Sequence, residues 1–392
     1  MFDNEKILIW GYGREGQSTS HFLKRCATPS GVDVFEGKRE DIDEKNYDHI
    51  IKSPGIIMEE DNPKYTSQTE IFLNAHRDRT IGITGTKGKS TTASMMYHVL
   101  SECLPDKNVI LLGNIGEPCL DYYDEVDSDT IVVFEMSCHQ LAHTKVSPHI
   151  AVMLNLYEEH LDYYKTFDKY FEAKKHVTMY QDEQDYFYVG DEVPVFDTKA
   201  QKRVVKWDET PEFELKVLGG HNNYNAYFVY RIATEIYAID GEKVKNALKS
   251  FNGLAHRLQY IGEVDGISYY DDSISTIPNA AIKALESVEN AVTILIGGMD
   301  RGINYDMLID FINEHHEFNY IFSYDSGKRI FDSVKKSSNC FYVTDLEEAV
   351  FLSKEITQKG KAVILSPASA SYGYFKNFEQ RGECFKEYAG IK

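Results

Sequence analysis

The chain has 392 residues, of which 42% are hydrophobic and 27% charged, and this predicts a globular protein of two or three domains. No apolar run is long enough to span a bilayer, and the sequence enters a strand at once without a signal-peptide pattern, so a cytoplasmic location is expected. The net charge of −20 argues against general nucleic-acid binding, and the six scattered cysteines suit a reducing compartment.

The first predicted domain covers residues 1–79 and begins with a strand, Lys6–Trp10, and a glycine-rich turn. The turn spaces its glycines as Gly11-x-Gly13-x-x-Gly16, a pattern that lets a backbone approach a pyrophosphate at a helix N-terminus. Alone it suits NAD, a sugar nucleotide or no ligand. Glu36 and the turn Ser53-Pro54-Gly55 each follow a later strand, where ligands bind in open parallel sheets, although the second can be a plain turn.

The strongest motif opens the second predicted domain, residues 80–254. An apolar strand leads through Gly85-Thr86-Lys87-Gly88 into a helix, and this order makes a phosphate cradle from backbone amides and the helix dipole. Lys89 can reach the β- and γ-phosphates of a nucleotide, and the Ser90 hydroxyl can hold Mg²⁺. Ile83 replaces the first glycine of the usual spacing, but the flanking strand and helix favour phosphate binding over a chance turn.

Polar side chains follow two further strands of this domain. Glu135 ends an apolar strand of the buried parallel type, where it suits a contact to Mg²⁺ or a helix cap. His160 lies among carboxylates after the next strand, and this also points towards the nucleotide. A helix is predicted over residues 167–180. This helix carries Lys174. From the sequence alone, the side chain of Lys174 is expected to be solvent-exposed, as most lysines are.

The amides of Asn222 and Asn225 share one face of a later helix. They can pair with the edge of a base, or Asn222 can simply cap the helix. The third predicted domain, residues 255–392, begins after a linker and a hairpin turn at 262–266, and then alternates strands with helices. This alternation predicts a third parallel sheet, with site residues at the carboxyl ends of its strands.

Taken in order, these blocks resemble the Mur ligases, the ATP-dependent amide ligases of peptidoglycan synthesis. The resemblance extends over nearly the whole chain. It implies an α/β protein with a Rossmann-like UDP-sugar domain, a central P-loop ATPase-like domain and a C-terminal Rossmann-like domain. The blocks that carry it are Thr84–Thr92, Gly113–Gly116, Glu135–Gln140, His221–Ala226, Leu254–Arg257, Leu365–Ser371 and Phe375–Gly382.

The last two blocks are most similar to those of family members that add glutamate to UDP-N-acetylmuramoyl-L-alanine. The implied reaction uses ATP to phosphorylate the terminal carboxylate, and the amine of glutamate then displaces phosphate. D-glutamate is favoured, and a monomer without nucleic-acid or membrane partners is expected. The resemblance implies catalytic roles for Lys89, Glu135, His160 and Lys174. It also implies two Mg²⁺ ions, held by Ser90, Glu135, His160 and a carbamylated Lys174.

The resemblance assigns the remaining site residues by their matching positions. ATP would contact the loop Gly85–Thr91, together with Asn222 and Asn225 near adenine, Asp272 near the ribose and Arg257 on the phosphates. The amino acid would contact Thr276, Arg301, Ser371 and Phe378. The UDP-sugar would contact Gly11, Gly13, Arg14, Glu15, Glu36, Ser53, Pro54, Gly55, Asn114, Ser137 and Gln140.

The amino-acid pocket departs from the family pattern at two positions. Ile274 stands where the glutamate-adding members usually have a lysine, and Arg301 stands for a second lysine. Because arginine and lysine hold a carboxylate differently, L-glutamate or another acidic amino acid is an alternative substrate. Two alternatives lie in other classes: a dinucleotide-dependent oxidoreductase, suggested by the first glycine turn, and a non-catalytic nucleotide-binding regulator derived from a ligase.

Overall fold

A computed structural model describes residues 2–58, 62–115, 117–217 and 219–391; Gly116 of the Gly113–Gly116 block lies outside these ranges. The chain divides into two compact units, which are described separately. Unit 1 comprises Met1–Glu214 and His221–Lys249, and unit 2 comprises Leu215–Gly220 and Ser250–Lys392.

The first sheet of unit 1 is parallel, with the order β2-β1-β3-β4. Its central strand is almost wholly buried because Ile7, Leu8 and Ile9 face packed neighbours on both sides. The chain passes from β1 to β2 on one side of it and then crosses to β3 on the other side. This strand order places the turns after β1 and β3 side by side. The elements are β1 (Lys6–Trp10), α1 (Arg14–Cys26), β2 (Gly31–Phe35), β3 (His49–Lys52), β4 (Tyr65–Thr66) and α2 (Gln68–His76).

The second sheet of unit 1 has the order β10-β9-β8-β5-β7-β6, and its paired strands are parallel. β5 and β7 lie side by side in its middle and are buried along their whole length, so their carboxyl ends meet at one edge. The strands are β5 (Thr80–Thr84), β6 (Asn108–Gly113), β7 (Thr130–Glu135), β8 (Ile150–Met153), β9 (Tyr186–Gly190) and β10 (Gln201–Val205). The helices are α3 (Lys89–Cys103), α4 (Cys138–Leu141), α5 (Leu161–Tyr164), α6 (Phe167–Lys175), α7 (Gly220–Glu235) and α8 (Gly241–Ser250).

Unit 2 is built on a mixed sheet with the order β11-β12-β16-β13-β14-β15, in which only the β11–β12 pair is antiparallel among the described strands. Aliphatic strands β13 and β16 form its buried centre. The strands are β11 (Gln259–Val264), β12 (Ile267–Asp271), β13 (Ala291–Gly297), β14 (Asn319–Ser323), β15 (Cys340–Tyr342) and β16 (Ala362–Leu365). The helices are α9 (Pro278–Ser287), α10 (Asp306–Glu314), α11 (Tyr324–Ser333), α12 (Leu346–Ile356) and α13 (Phe378–Ala389).

The predicted α/β class is confirmed, and three local predictions are wrong. The C-terminal sheet is not wholly parallel, and Gly262–Val264 belong to β11, so the hairpin turn is shorter than predicted. Helix α6 ends at Lys175 rather than residue 180. The domain borders after residues 79 and 254 stay predictions. Within the described ranges, no helix has the length and apolarity that crossing a bilayer requires.

Candidate functional site

The loop between β5 and α3 has the form of a phosphate cradle. Gly88 lies in the left-handed region at φ +84°, and a Cβ there would come within 2.7 Å of Asn225 Oδ1. Lys89 folds back over the loop and donates from Nζ to the carbonyl oxygens of Gly85 and Thr86, at 3.0 and 2.9 Å. Because the first turn of a helix leaves N–H groups without intrahelical acceptors, the start of α3 presents donors to an anion.

Asn155, which follows β8, fixes the shape of this loop. Its side-chain oxygen accepts from the backbone N–H groups of Thr86 and Lys87, at 3.1 and 2.8 Å. Its amide nitrogen donates to the Lys87 carbonyl at 3.0 Å. No local pattern in the sequence indicates this role for Asn155. The structure shows that it holds the phosphate loop from the neighbouring strand.

A cleft of about 450 Å³, here called the main cleft, opens at the carboxyl edge of the central sheet in unit 1. Its walls combine residues predicted for catalysis with residues predicted for the UDP-sugar. Those predicted for catalysis are Lys89, His160 and Lys174. Those predicted for the sugar nucleotide are Arg14, Glu15, Pro54, Gly55, Asn114, Ser137 and Gln140.

Glu135 ends β7 and is fully buried next to this cleft. One carboxylate oxygen accepts from Asn114 Nδ2 at 3.1 Å, while the other has no hydrogen-bond partner among the described residues. A buried carboxylate oxygen without a donor is costly, and a cation removes that cost. Glu135 therefore fits a Mg²⁺ ligand.

The surroundings of Glu135 set the kind of metal site that is possible. In the described ranges, no group of three or more His, Cys, Asp and Glu side chains is arranged to hold a metal ion. Mg²⁺ commonly binds through one or two carboxylates, waters and substrate phosphates, so a site with few protein ligands fits it. A carboxylate-like group on Lys174 would supply the second acid.

Lys174, on α6, is fully buried. Its Nζ donates to the Gly85 carbonyl at 2.7 Å and to Thr84 Oγ1 at 3.3 Å, and both acceptors are neutral. Burial, followed by repulsion from Lys89, lowers the pKa of Lys174 to about 7. Burial therefore favours the uncharged, nucleophilic form of this amine.

His160 lines the main cleft from a strained position. It lies in the left-handed region at φ 56° and ψ 33°, just before α5. The ring of His139 is 5.0 Å away and that of Tyr170 is 6.1 Å away. A non-glycine residue in this region costs about 1–3 kcal/mol, and such strain is concentrated at functional sites.

The wall of the main cleft that carries the residues predicted for the UDP-sugar is a network of polar contacts. Gln140 Nε2 donates to Glu15 Oε1 at 3.0 Å, and Gln140 also closes a capping box with Ser137. Ser53 Oγ donates to the Gly11 carbonyl at 3.0 Å and so joins the turns after β1 and β3. These contacts fix the wall. Gly11, Gly13, Ser53 and the exposed Glu36 do not line the cleft, and their ligand contacts stay predictions.

A second cleft of about 350 Å³, here called the side cleft, opens beside the phosphate loop of the same unit. Asn225 lines it, while the buried Asn222 accepts from Asn225 Nδ2 at 3.2 Å and thus orients that amide. The walls are Lys87, Gly88, Leu154, Asn155, Tyr157, Asp191, Glu192, Trp207, His221, Tyr224 and Asn225.

In unit 2 a buried arginine joins the loops at the strand ends. Arg381 donates to Ser273 Oγ, the Ser273 carbonyl and the Ser369 carbonyl, at 3.0, 2.7 and 3.0 Å. A Cβ on Gly298 would meet Arg381 Nη1 at 3.0 Å, so the third loop also packs on this side chain. These loops carry or adjoin the predicted amino-acid contacts Thr276, Arg301, Ser371 and Phe378.

Asp272 also lies in this unit, with both carboxylate oxygens hydrogen-bonded to the protein. Ser366 Oγ donates to one at 2.7 Å, and the Leu258 N–H donates to the other at 3.0 Å. Burial raises the pKa of Asp272 to about 6. Arg257 is exposed one position before Leu258. The predicted contacts of Asp272 and Arg257 with ATP stay predictions.

Comparison with known proteins identifies the family. A model of the Mur ligase middle domain matches residues 83–207. The UDP-N-acetylmuramoylalanine–D-glutamate ligase of Aquifex aeolicus is 30% identical, over 98% of this chain and 99% of the relative. The chain belongs to the Mur ligase family. The enzyme of the same name from Lactobacillus johnsonii is 29% identical, over 99% of this chain and 97% of that protein.

Solved Mur ligase structures agree in fold. MurC from Thermotoga maritima superposes with a TM-score of 0.57 at 20% identity, over 98% of both chains. MurF from Thermotoga maritima, in complex with ADP, superposes with a TM-score of 0.55 at 18% identity, over 91% of this chain and 94% of that one. The three-domain Mur ligase architecture predicted from the sequence is thus confirmed. The chain is a ligase of this family. This favours the predicted amide ligase over the alternative of a dinucleotide-dependent oxidoreductase.

Proposed function

We propose that this Mur ligase joins D-glutamate to UDP-N-acetylmuramoyl-L-alanine at the expense of ATP, in the synthesis of peptidoglycan precursors. The main cleft carries the proposal, because Lys89, Lys174 and His160 line the same cavity as Arg14 and Gly55. A sugar nucleotide lying along it would bring its terminal carboxylate to the phosphate loop. The names of the relatives from Aquifex aeolicus and Lactobacillus johnsonii support the choice of substrates.

The reaction needs positioning and charge stabilisation rather than a nucleophilic side chain. A carboxylate oxygen of the sugar nucleotide bonds to the γ-phosphorus of ATP, and ADP leaves. The glutamate amine then attacks the acyl carbon, loses a proton, and expels inorganic phosphate as the amide forms. Lys89 and the amides at the start of α3 hold the phosphoryl oxygens as their negative charge shifts.

Mg²⁺, when bound to Ser90, Glu135, His160 and a modified Lys174, would neutralise the negative charge of the phosphates. Lys174 can acquire the necessary acid group by attack of its neutral amine on CO₂. The N–C bond forms and a proton leaves, so a cation is converted to a carbamate anion. Fully buried and with its pKa near neutrality, Lys174 suits this modification.

The test is release of phosphate from ATP and UDP-N-acetylmuramoyl-L-alanine, with D-glutamate, L-glutamate or no amino acid. D-glutamate should stimulate release, with one amide formed per phosphate. Stimulation by L-glutamate alone would change the assigned amino acid but leave the proposed reaction type in place. This arm is included because Ile274 and Arg301 depart from the family pattern in the predicted amino-acid pocket. No release with either enantiomer would contradict the proposal and favour a nucleotide-binding regulator. The monomeric state and cytoplasmic location remain predictions.

A further inference from the structure

A partly exposed tryptophan stands in the side cleft, and no motif in the sequence pointed to it. Trp207 follows β10 and keeps 53% of its surface accessible. It lines the same cavity as Lys87 and Gly88 of the phosphate loop and the amide of Asn225. A ligand in this cavity can therefore reach the indole ring.

Contacts with Tyr224 and Asp191 hold Trp207 in position. Its ring lies 5.1 Å from that of Tyr224 at an interplanar angle of 54°. The Trp207 backbone N–H donates to Asp191 Oδ2 at 3.0 Å, and the Tyr224 hydroxyl donates to Asp191 Oδ1 at 3.0 Å. The same hydroxyl lies 2.7 Å from the Val205 carbonyl. Backbone and supporting ring are therefore anchored, while half of the indole stays open to the cleft.

The charges around the side cleft favour one orientation of a nucleotide bound in it. Asp191 and Glu192 lie on its walls, and Glu192 accepts from the Tyr157 hydroxyl at 2.8 Å. Lys87, which pairs with Glu159, lies on the wall formed by the phosphate loop, and Lys89 Nζ is bonded to the Gly85 carbonyl of the same loop. The carboxylates repel a polyphosphate chain, whereas the lysines and loop attract it. A nucleotide in this cleft is therefore oriented with its base towards Asp191 and Trp207.

We propose that Trp207 binds the adenine of ATP by stacking on its exposed face, with the Asn225 amide at the edge of the base. The inference rests on the proposed use of ATP and adds a binding residue to it. Stacking of a base on an aromatic side chain is worth about 1–3 kcal/mol when measured by alanine substitution. The volume of about 350 Å³ is within the range of small-molecule sites.

The first experiment uses tryptophan fluorescence, because the chain has two tryptophans and Trp10 is only 3% exposed. Titration of the full-length wild type with ADP should quench the emission with saturation. The same titration of Trp207→Phe should lose this signal while the variant still binds ADP by calorimetry. Inorganic tripolyphosphate, which has no base, should leave the wild-type emission nearly unchanged. Quenching of equal size by tripolyphosphate would overturn the stacking.

The second experiment compares affinities by calorimetry. Trp207→Ala should weaken ADP binding at least about five-fold, Trp207→Phe less, and neither should change the affinity for tripolyphosphate. Phe351→Ala is the matched control, since Phe351 in unit 2 is also 53% exposed, and its ADP affinity should equal that of the wild type. Unchanged ADP affinity in an active Trp207→Ala enzyme would overturn this inference alone. Failure of the wild type to bind ADP would overturn the proposed function as well.

Discussion

Lys174 in unit 1 and Arg381 in unit 2 are the most deeply buried cationic side chains of the described residues, and the two differ in their chemistry. In unit 1, Lys174 is fully buried and contacts Gly85 and Thr84. In unit 2, Arg381 is 1% exposed and contacts Ser273 and Ser369. All of these acceptors are neutral, so each cation enters the interior without a directly hydrogen-bonded carboxylate.

The difference lies in what burial does to the charge. Burial lowers the pKa of Lys174 to about 7 but that of Arg381 only to about 10. The lysine can therefore lose its proton near neutral pH and become reactive, whereas the arginine stays charged. A planar guanidinium also reaches several acceptors at once, which a single ammonium cannot. Lys174 is thus suited to a chemical reaction, whereas Arg381 is suited to holding loops together.

The largest effect is expected from removing the reactive cation. Lys174→Ala should lower phosphate release about a hundredfold to a thousandfold, because the acid group expected at this position is lost. Added bicarbonate should not restore it, while a short carboxylic acid such as acetate should restore part. Lys175→Ala is the control on the same helix, since Lys175 pairs with Glu172 at 2.5 Å and lies outside the main cleft. Full activity of Lys174→Ala would refute the role of this side chain.

The second prediction concerns the structural cation. Arg381→Met should loosen unit 2 by about 2–4 kcal/mol, because buried oxygens of Ser273 and Ser369 lose their donor. The stability of unit 2 in Arg381→Lys should lie between that of Arg381→Met and that of the wild type. The measurement is hydrogen–deuterium exchange of the β12 and β13 amides, which should become faster. Arg257→Met removes an exposed arginine and should leave these amides unchanged. Equal protection in Arg381→Met and the wild type would show that the loops do not depend on the guanidinium.

The third and smallest effect is in pH dependence. Between pH 7 and 9, folded unit 1 carries mostly neutral Lys174, while the unfolded chain keeps this lysine protonated. The unfolded state then binds more protons, so stability should rise with pH, by about 1–3 kcal/mol over this interval. Arg381 stays charged in both states and should add no slope. Urea unfolding in CO₂-depleted buffer, followed by tryptophan fluorescence, reports on unit 1 because Trp10 and Trp207 both lie there. Lys52, whose pKa burial lowers to about 8, adds to this rise, so Lys174→Met should lose its larger part but not all of it; an identical rise in that variant would assign it to other groups.

Patterns local in sequence were the ones that could be interpreted correctly. The runs of β5 and β7, and the loop between β5 and α3, carry their own signals of strand, turn and helix start. The end of α6 was missed because a distant residue sets it. Ser147 Oγ donates to the His176 carbonyl at 2.7 Å and accepts from the Tyr180 N–H at 3.0 Å, which replaces the bonds of a continuing helix.

The site residues that escaped prediction also depend on contacts between distant parts of the chain. Asn155 reaches a loop 69 positions away, and Arg381 reaches Ser273 from 108 positions away. Neither position carries a local pattern that distinguishes it from an ordinary polar residue. Lys174, for which the resemblance implied a catalytic role, lies on the wall of the main cleft, and the role itself stays a prediction. Its complete burial and altered pKa, however, come from packing that no sequence window contains.

The grip of Asn155 on the phosphate loop has a consequence for the catalytic cycle. Since the amides of Thr86 and Lys87 are tethered by a side chain of the protein, we expect the loop to keep its shape whether or not an anion is bound. Departure of ADP therefore leaves behind a receptor that is ready for the next nucleotide. We therefore expect little ordering entropy to be lost when a nucleotide binds, so that rearrangement of the loop backbone should not slow its binding.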